Sequence, residues 1–486
     1  MTTLIPKIDL KNGGATPTGA VNRPINEKIE EFISVKDFGA KGDSVTDDTV
    51  AIQAAINYCA NINNRKQTLY FPASNPACAY KITAPLVITQ PFNIIGDGQF
   101  STIIFAEGLN SSQAILDFDC STVDQVYFCG ISNIRLISNN SQPTGVKLKN
   151  VSYMLMKQVA LSTLGKGMVF TGTQCFSNSF EEVTCYGITS YGASWDTYTG
   201  GGQWLFSGCT FTGTEGVLVT NNSSINSVTF YNCNFEGCSD TDMFIGGTVQ
   251  GLTISGCRSE ALSGGTSFCI TPALGNSVVG LTITGCFWQS NFGNANPVNL
   301  DGNVQGYNIS GNYAGYIGFQ QFVYLGSNTK AGVISGNLCV NSPKVVNQAN
   351  QTLTLLNNNN TAGVLPDYFS MTLTDASGAG LTFSNAEGTY TKIGNTVFWK
   401  AWVVFPTTSS SAAVDIAGLP YAVAPLGTWV RAGANVDITD YSAGPIYVAQ
   451  GYPSTTHFSL WYNASNLLTN AELSGKTLYL SGSYTA

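Results

Sequence analysis

The sequence is poor in charged residues and contains a single histidine, His457. Asp, Glu, Lys and Arg make up 10% of its 486 residues, far below the roughly 25% of ordinary soluble proteins. A folded surface must therefore be built largely from Asn, Ser, Thr, Gly and Tyr. The 21 basic residues are outnumbered by 29 acidic ones, so the basic patch of a nucleic-acid-binding protein is not expected.

Long apolar runs are also absent. No stretch approaches the roughly 20 residues of a membrane helix, and the N-terminus lacks the pattern of a signal peptide. We expect no membrane insertion and synthesis without export. Thirteen cysteines are present, but no CxxC pair suggests a metal site. Neither a metal nor a cofactor is expected.

What the sequence does contain is one pattern that recurs nine times between about Cys129 and Cys339. An apolar residue is followed by two turn-like residues, a small or polar inward residue, a spacer and usually another apolar residue, as in Phe206-Ser-Gly-Cys-Thr-Phe211. Successive copies lie 24 to 29 residues apart. A fixed period of this size indicates a stacked architecture, and apolar residues two apart with Gly, Ser or Asn between them indicate short strands and tight turns.

Such strands can pair with their own next copies, and the leucine-rich-repeat signature is missing. The pattern therefore predicts a parallel β-helix in which each coil contacts only its neighbours and equivalent residues lie about 4.8 Å apart. Six cysteines fall at inward positions, which predicts buried, reduced thiols that act as small hydrophobic side chains. These are Cys185, Cys209, Cys233, Cys257, Cys286 and Cys339.

Ahead of the repeats, residues 34–57 form a recognisable motif that begins Ser-Val-Lys-Asp-Phe-Gly-Ala-Lys-Gly-Asp. Asp47 or Thr46 is a good helix N-cap, and Ile52, Ala55, Ile56 and Cys59 share one face of a helix over about 47–60. Such a helix would cover the open end of a solenoid. A metal cluster of Asp43, Asp47 and Asp48 is the weaker interpretation, because these residues favour caps and turns.

This motif resembles the entry motif of the pectate-lyase-like β-helix superfamily, and within it the bacteriophage tailspikes, which are trimeric receptor-binding depolymerases. The resemblance implies a right-handed parallel β-helix, a homotrimer and a bacterial surface polysaccharide as partner. It also implies a place in the virion tail. Residues 1–33 are similar to short tail-anchoring peptides, which implies attachment to another phage tail protein.

The Asn-rich segment before Pro366 marks a predicted boundary between a β-helix over 34–365 and a C-terminal domain over 366–486. Alternating strands such as Thr396-Val-Phe-Trp-Lys-Ala-Trp predict an antiparallel β-sandwich there. Gly388-Thr-Tyr-Thr-Lys-Ile-Gly-Asn-Thr-Val397, together with Ile416-Ala-Gly-Leu-Pro420, resembles the C-terminal sandwich of phage tail proteins, which serves trimerisation, sugar binding or both. Four tryptophans are candidates either for sugar platforms or for the core, namely Trp399, Trp402, Trp429 and Trp461.

Carboxylates are concentrated in a few adjacent coils, with eight between 181 and 260. Glu236 and Glu260 each lie three residues after an inward cysteine, so both are expected on one outward face, one strand spacing apart. Two carboxyl groups are the machinery of glycosidases, at about 5–5.5 Å in retaining enzymes and about 6.5–9.5 Å in inverting ones. Asp240 and Asp242, in the following segment, are the reserve catalytic candidates.

Several other residues are predicted to contact a substrate. Arg258 shares the face of Glu260 and could hold it ionised, Gln289 occupies the same repeat position in the next coil, and Glu215 and Trp288 lie nearby. The aromatic, glycine-rich segment 191–204 is expected to form a loop that exposes Tyr191, Trp195 and Tyr198 to sugar rings. The alternative is that this loop packs on a neighbouring chain.

Three functions remain open at this point. The leading prediction is a tailspike that cleaves a capsule or O-antigen by glycoside hydrolysis. A polysaccharide lyase is the second, although lyases often use histidine and the single histidine lies outside the repeats. A receptor-binding fibre without turnover is the third.

Overall fold

The structure is a computed structural model, and it describes only part of the chain. The described residues are 7–8, 21, 23–24, 32–61, 68–73, 79–121, 128–140, 142–260, 267–289, 296–315, 322–339, 345–347, 353–356, 359–360, 363–364, 369–393, 396–424, 432–438, 448–463 and 466–486. The chain divides into two compact parts, Met1–Tyr307 with Asn312–Gln320, and Asn308–Gly311 with Gln321–Ala486.

The first part opens with an antiparallel pair, Lys7–Ile8 and Arg23–Pro24, then a 3-10 helix, Val35–Phe38, and an α-helix, Thr49–Cys59. The α-helix buries Ile52, Ala55, Ile56 and Cys59, so the predicted capping helix is confirmed. Within the described ranges, no helix is both long and apolar enough to cross a membrane.

The aspartates of the entry motif have turn and capping roles. The backbone N-cap is Asp48, one residue later than predicted, but its side chain does not cap the helix. It accepts hydrogen bonds from the Lys41 and Gly42 amides, at 2.6 and 2.9 Å. Asp47 accepts from the Thr49 amide at 3.0 Å, as a capping side chain does.

Three parallel sheets then run along the solenoid, and each coil contributes one strand segment to each sheet. The first sheet contains Phe32–Ser34, Thr68–Phe71, Asn93–Gly96, the first parts of Cys129–Ser138 and Met154–Ser162, Asn178–Glu181, Trp204–Ser207, Ser224–Tyr231, Thr248–Ser255, Val278–Thr284 and Val304–Gln305. The second contains Tyr80–Ile82, Ile103–Ala106, the last parts of the same two long strands, Thr184–Tyr186, Thr210–Phe211, Asn234–Glu236, Arg258–Glu260, Phe287–Gln289 and Tyr313–Ala314.

The third sheet contains Leu86–Ile88, Ala114–Asp119, Thr144–Lys149, Lys166–Thr171, Tyr191–Trp195, Glu215–Val219, Thr241–Ile245, Phe268–Ile270 and Val298–Leu300. This arrangement confirms the predicted parallel β-helix.

Equivalent residues of the repeat face each other across neighbouring coils. Phe206 lies opposite Phe180 and Phe230, and Phe230 lies opposite Ile254. The rings of Phe180, Phe206 and Phe230 stack with centroids 4.6 and 4.9 Å apart. The hydrophobic core is therefore a set of columns of like side chains, each of which runs parallel to the solenoid axis.

The turn between the first and second sheets explains the third residue of the repeat. In all nine copies this residue has a positive φ, between 51° and 63°. It is glycine in five copies, for example Gly208 and Gly256, and asparagine in two. Glycine adopts this backbone conformation without a steric penalty and asparagine tolerates it, which explains why these residues recur at this position.

The inward cysteines point into the core as the repeat predicted. Cys209, Cys233, Cys257 and Cys286 donate S–H hydrogen bonds of 3.3 to 3.6 Å to carbonyls of the preceding coil. All six inward cysteines are buried free thiols, and every described cysteine is unbridged. They fill space and bind backbone oxygens instead of cross-linking the chain.

The second part begins with strands that pair in parallel and then changes to an antiparallel sheet. The parallel-paired strands are Val323–Leu325 with Val345–Asn347, Gly332–Ser335 with Leu353–Leu356, and Leu338–Cys339 with Asn359–Asn360. Asn359–Asn360 also pairs with Gly363–Val364. The strand Tyr307–Ser310 contributes residues to both parts.

Ten strands form the antiparallel sheet, namely Phe369–Thr372, Thr374–Asp375, Asn385–Ile393, Thr396–Val404, Asp415–Ala417, Ala432–Ile438, Val448–Gly451, His457–Asn463, Asn466–Leu467 and Thr477–Thr485. Trp399 and Phe458 lie on strands separated by three others in the sheet order, yet their ring centroids are 5.1 Å apart. The sheet must curl so that its two halves face each other, as in a sandwich.

The aromatic column allows a direct test of the core. We expect Phe206→Ala to lower the free energy of unfolding by about 3–5 kcal/mol, because a fully buried ring is replaced by a cavity. Val87→Ala is the control, because Val87 is 42% exposed in the middle of the strand Leu86–Ile88 and should cost far less. Urea unfolding followed by fluorescence measures both, and equal losses would contradict the assignment of Phe206 to the core.

Candidate functional site

The outer face of the second sheet brings the two predicted glutamates together. Strand Asn234–Glu236 pairs with strand Arg258–Glu260, and Glu236 lies directly opposite Glu260. Gln289 follows opposite Glu260 in the next coil. Parallel neighbours are about 4.8 Å apart, so the two carboxylates occupy adjacent positions on one outward face.

The two carboxylates have different partners. Arg258 Nη2 donates to Glu260 Oε1 at 2.9 Å and to Gln289 Oε1 at 3.1 Å. Glu236 Oε2 accepts only a neutral amide donor in the described structure, Asn234 Nδ2 at 3.2 Å. Glu260 therefore has a charge-assisted hydrogen bond, whereas the bond to Glu236 comes from a neutral donor.

A groove of about 420 Å³ lies beside Glu236, at the corner between the second and third sheets. It crosses three coils and is lined by Tyr186, Gly187, Ile188, Thr189, Thr212, Gly213, Thr214, Glu236, Gly237 and Ser239. The ring of Tyr186 is 64% exposed. The lining offers hydroxyl groups, one aromatic ring and one carboxylate, and a few polar groups converging on a concave surface are typical of ligand sites.

Glu215 and Asp240 lie close to this groove, next to its lining residues Thr214 and Ser239. Burial raises the pKa of Glu215, and the charge of Asp240 raises it further. Tyr191 is the register neighbour of Glu215 on the third sheet, and the ammonium of Lys166 lies 5.7 Å from its ring centroid. The acidic character of the site therefore extends beyond the glutamate pair.

Asp242 is not available to a substrate, so its candidacy as a catalytic acid is wrong. It belongs to the third-sheet strand Thr241–Ile245 and is 0% exposed. Its carboxylate accepts a 2.5 Å hydrogen bond from Ser259 Oγ, and Ser259 Oγ lies 3.1 Å from Ser267 Oγ. Burial raises the pKa of Asp242 to about 7, although hydrogen bonds from Ser259, Cys238 and Ser267 oppose the change.

Three of the predicted sugar-binding aromatics are also buried. Residues 191–195 form a third-sheet strand instead of a loop, and its alternation directs Trp195 into the core, where its ring centroid lies 4.9 Å from that of Phe170. Tyr198 is 0% exposed, and its hydroxyl donates to the Gly201 carbonyl at 2.5 Å. Trp288 is 1% exposed and packs on Phe268. Of the aromatic residues predicted to contact sugar within the β-helix, only Tyr191 remains partly exposed.

An outward aromatic pair was missed by the sequence analysis. Phe287 and Tyr313 lie opposite each other in neighbouring coils, with centroids 5.3 Å apart and rings 13° from parallel. Phe287 also lies opposite Arg258. Both residues directly follow the inward residue of their repeat copy, as Arg258 follows Cys257. Comparison of this position across the copies could have found them.

The C-terminal tryptophans divide between core and surface. Trp399 is buried and Trp461 is half-buried, with Nε1 donating to Ser459 Oγ at 2.8 Å. Trp402 is 40% exposed and stacks on the equally exposed Tyr479, with centroids 6.0 Å apart. Trp429 lies outside the described residues. Among the described residues, no group of three or more His, Cys, Asp or Glu side chains could hold a metal ion.

Comparisons with known proteins agree with the fold. Residues 32–259 match the family model described as rhamnogalacturonase A/epimerase, pectate lyase-like. The matched segment, just under half of the chain, is similar to the pectate-lyase-like β-helix family. The resemblance to tailspikes is also confirmed, because this chain is 37% identical over 122 residues to the tail spike protein of Shigella phage Sf6. That match covers 25% of this chain and 19% of the relative.

The curated relatives are much longer than the matched segments. A non-secreted LysM effector of Penicillium expansum is 33% identical to this chain over 106 residues, which is 20% of this chain and 8% of that protein. Among solved structures, the Dettilon tailspike protein covers 95% of both chains with a TM-score of 0.55 and 14% identity. The Streptococcus pneumoniae surface adhesin PfbA covers 68% of this chain with a TM-score of 0.54 and 12% identity. The solved structures therefore share the fold.

The buried Asp242 predicts a pH-dependent stability. Its folded-state pKa of about 7 lies above the ordinary value of 3.8, so the unfolded state loses its proton first as the pH rises. Stability should therefore fall between about pH 4 and pH 7 and become constant above that range. Between about pH 5 and pH 8 the loss should amount to roughly 2–3 kcal/mol.

Urea unfolding at several pH values measures this loss. Asp242→Asn should remove it, because asparagine can accept the Ser259 hydrogen bond and does not ionise. Asp240→Asn, at an exposed position two residues earlier, is the control and should keep the pH dependence. An unchanged pH dependence in Asp242→Asn would show that the buried carboxyl is not the titrating group.

Proposed function

We propose that this protein is a phage tailspike that binds and depolymerises a bacterial surface polysaccharide, a capsule or an O-antigen, by glycoside hydrolysis. The observation that carries the proposal is the pairing of Glu236 with Glu260 on one outward face beside a groove. Stacked like charges repel each other in a sheet. A pair of acids in register is therefore a costly arrangement, which a catalytic role explains.

The different partners of the two carboxylates support different roles. Arg258 donates a charge-assisted hydrogen bond to Glu260, and in our proposal Glu260 activates the water or attacks the anomeric carbon. Glu236, which accepts from the neutral amide of Asn234, is the proposed general acid, and its proton goes to the glycosidic oxygen as the bond to the anomeric carbon breaks. This division of labour between acid and carboxylate is that of glycosidases.

The surrounding groups complete the proposed site. Tyr186, Thr214 and Ser239 line the groove on one side of Glu236, and Gln289 lies on the other side of Glu260. A saccharide that follows the solenoid axis would contact both. Asp240 remains the reserve acid, because it is exposed near the groove.

A polysaccharide lyase is the second candidate. Lyases remove a proton next to a uronate, often with His, Tyr, Lys or Arg, and Arg258 and Tyr186 are the groups of these types at the site. Against this function, Arg258 already pairs with Glu260. Absorbance from unsaturated uronate products would identify a lyase. New reducing ends without that absorbance would identify a hydrolase. Binding with neither signal would identify a fibre that only attaches.

The proposed place of the protein follows from its tailspike relative. A homotrimer located in the virion tail would act at the host surface, with residues 1–33 bound to another tail protein. The outer face of the first sheet supports association, because Leu155, Leu205 and Tyr231 are 40–55% exposed on it. Exposed apolar surface of this kind marks interaction sites.

Substitution of the pair tests the chemistry. We expect Glu236→Gln and Glu260→Gln each to lower the rate of depolymerisation by at least about 10²–10⁴-fold, because glutamine keeps the shape but cannot ionise or donate a carboxylic proton. Polysaccharide binding and thermal stability should be retained. Reducing-end assays on purified capsule or O-antigen measure the rate.

Arg258→Ala should reduce turnover less than either glutamine substitution, since Arg258 acts through Glu260. Glu181→Gln is the control, because Glu181 pairs with Lys157 on the first sheet and lies away from the groove. Near-normal turnover in both glutamine variants would place the site elsewhere. Loss of activity in Asp240→Asn alone would move the catalytic role to that residue.

Assembly provides a second test. Light scattering of the full chain should give a mass three times that of one chain, at dilutions that dissociate weak complexes. Leu205→Glu should reduce this mass, because it places a charge on the exposed apolar face of the first sheet. A stable monomer of the unmodified chain in dilute solution would contradict the trimer.

A further inference from the structure

We infer that the groove beside Glu236 takes an uncharged or amino-bearing glycan and rejects a polyanionic one. The inference rests on the proposed function in that the groove is a polysaccharide site, and it adds the charge class of the substrate. It does not depend on which carboxylate carries the chemistry.

The first observation is a charge imbalance along the coils. Between Lys166 and Lys330 the sequence contains nine carboxylates and a single basic residue, Arg258, with no histidine. This stretch contains all the residues of the groove and the glutamate pair. An acidic composition alone does not explain this concentration, because carboxylates on an ordinary solvated surface would be distributed along the whole chain.

The second observation is that the single cation is already neutralised. The guanidinium of Arg258 lies 2.9 Å from Glu260 and also binds the Gln289 amide oxygen. Glu215, Glu236 and Asp240 form no ion pair within the described part of the chain. The surface around the groove therefore presents unpaired negative charge.

The neighbouring segments do not correct this imbalance. Residues 261–266, 290–295 and 316–321 lie outside the described residues, and their sequences contain no lysine, arginine or histidine. The nearest lysine before the groove, Lys166, lies over the ring of Tyr191. No cation of these coils is thus available to bind a uronate, sialate, phosphate or sulfate group.

This charge distribution selects among glycans. Like charges brought together at an interface cost affinity, and clefts of one sign repel ligands of that sign. Carboxylates are acceptors, so they suit the hydroxyl donors of neutral sugars and the ammonium groups of amino sugars. The paired rings of Phe287 and Tyr313, in the coils after Arg258, add apolar contact area without charge.

A binding panel tests the inference with the full-length Glu236→Gln/Glu260→Gln variant, which separates binding from turnover. The probes are purified bacterial capsules and O-antigens of known repeat structure. One half has neutral or amino-sugar repeats and the other half has uronate-, sialate- or phosphate-containing repeats. Titration of the variant with each preparation, in EDTA at low salt, should show binding only to preparations with neutral or amino-sugar repeats. The unmodified protein should bind the same preparation, since glutamine removes only two of the carboxylates.

Charge variants supply the matched comparison. Glu215→Gln/Asp240→Asn should raise the affinity for anionic preparations at least tenfold at low salt, and added salt should reduce that gain. Glu181→Gln/Glu182→Gln removes the same charge away from the groove, where these residues bind Lys157 and Gln158, and should change little. An equal gain in both variants would contradict a local effect of the groove.

Tight binding of an anionic preparation to the unmodified protein in EDTA would overturn the inference, and so would anionic binding that requires added calcium. If a neutral preparation binds but is not cleaved by the unmodified protein, the charge class stands and hydrolysis at this site fails. Binding to no preparation would contradict both the inference and the proposed function.

Discussion

Parallel pairing of each coil with the next is the constraint on which the rest of this structure depends. Backbone hydrogen bonds between coils fix the register, so each side chain has an equivalent neighbour about 4.8 Å away on both sides. A favourable contact is thereby repeated along a column, and so is an unfavourable one. The fold therefore favours residues that tolerate their own kind as neighbours.

Inside the solenoid this constraint is met by stacked phenylalanines and by cysteines. The rings of Phe180, Phe206 and Phe230 gain contact area from parallel stacking, and thiols such as Cys233 and Cys257 are small enough to repeat without a void. Asp242 is the exception, because it places a carboxyl group among Ser259, Ser267 and Cys238. Its burial costs stability at neutral pH, and the interior is therefore polar directly beneath the strand that carries Arg258 and Glu260.

Outside the solenoid, the same register concentrates charge. Glu236 and Glu260 are adjacent because they occupy one repeat position, and Arg258 offsets only one of them. Surface pairs of like charge are destabilising in sheets, which is why this position invites a functional explanation. The neighbouring Glu215 and Asp240 extend the negative field, so in our proposal the field acts on the bound glycan as well as on the glutamate pair.

The sequence by itself determined the solenoid, the inward cysteines and the register of the glutamate pair. A repeat of period 24 to 29 can be aligned with itself, and parallel pairing converts alignment directly into contact. The copies can be aligned because the turn requires a positive φ at the third residue of the repeat, and this residue is Gly or Asn in seven of the nine copies.

Only the tertiary structure decided which side chains outside the repeat face solvent. Trp195 and Tyr198 lie in a Gly-rich stretch that resembles a loop, but both are buried, Trp195 on the strand 191–195 and Tyr198 with its hydroxyl bonded to backbone carbonyls. Asp242 follows an exposed turn and is drawn inward by the third sheet. The groove itself joins residues from three coils at a corner whose shape depends on how two sheets meet. Burial at such corners depends on packing between sheets, and no pattern within one segment of the chain specifies it.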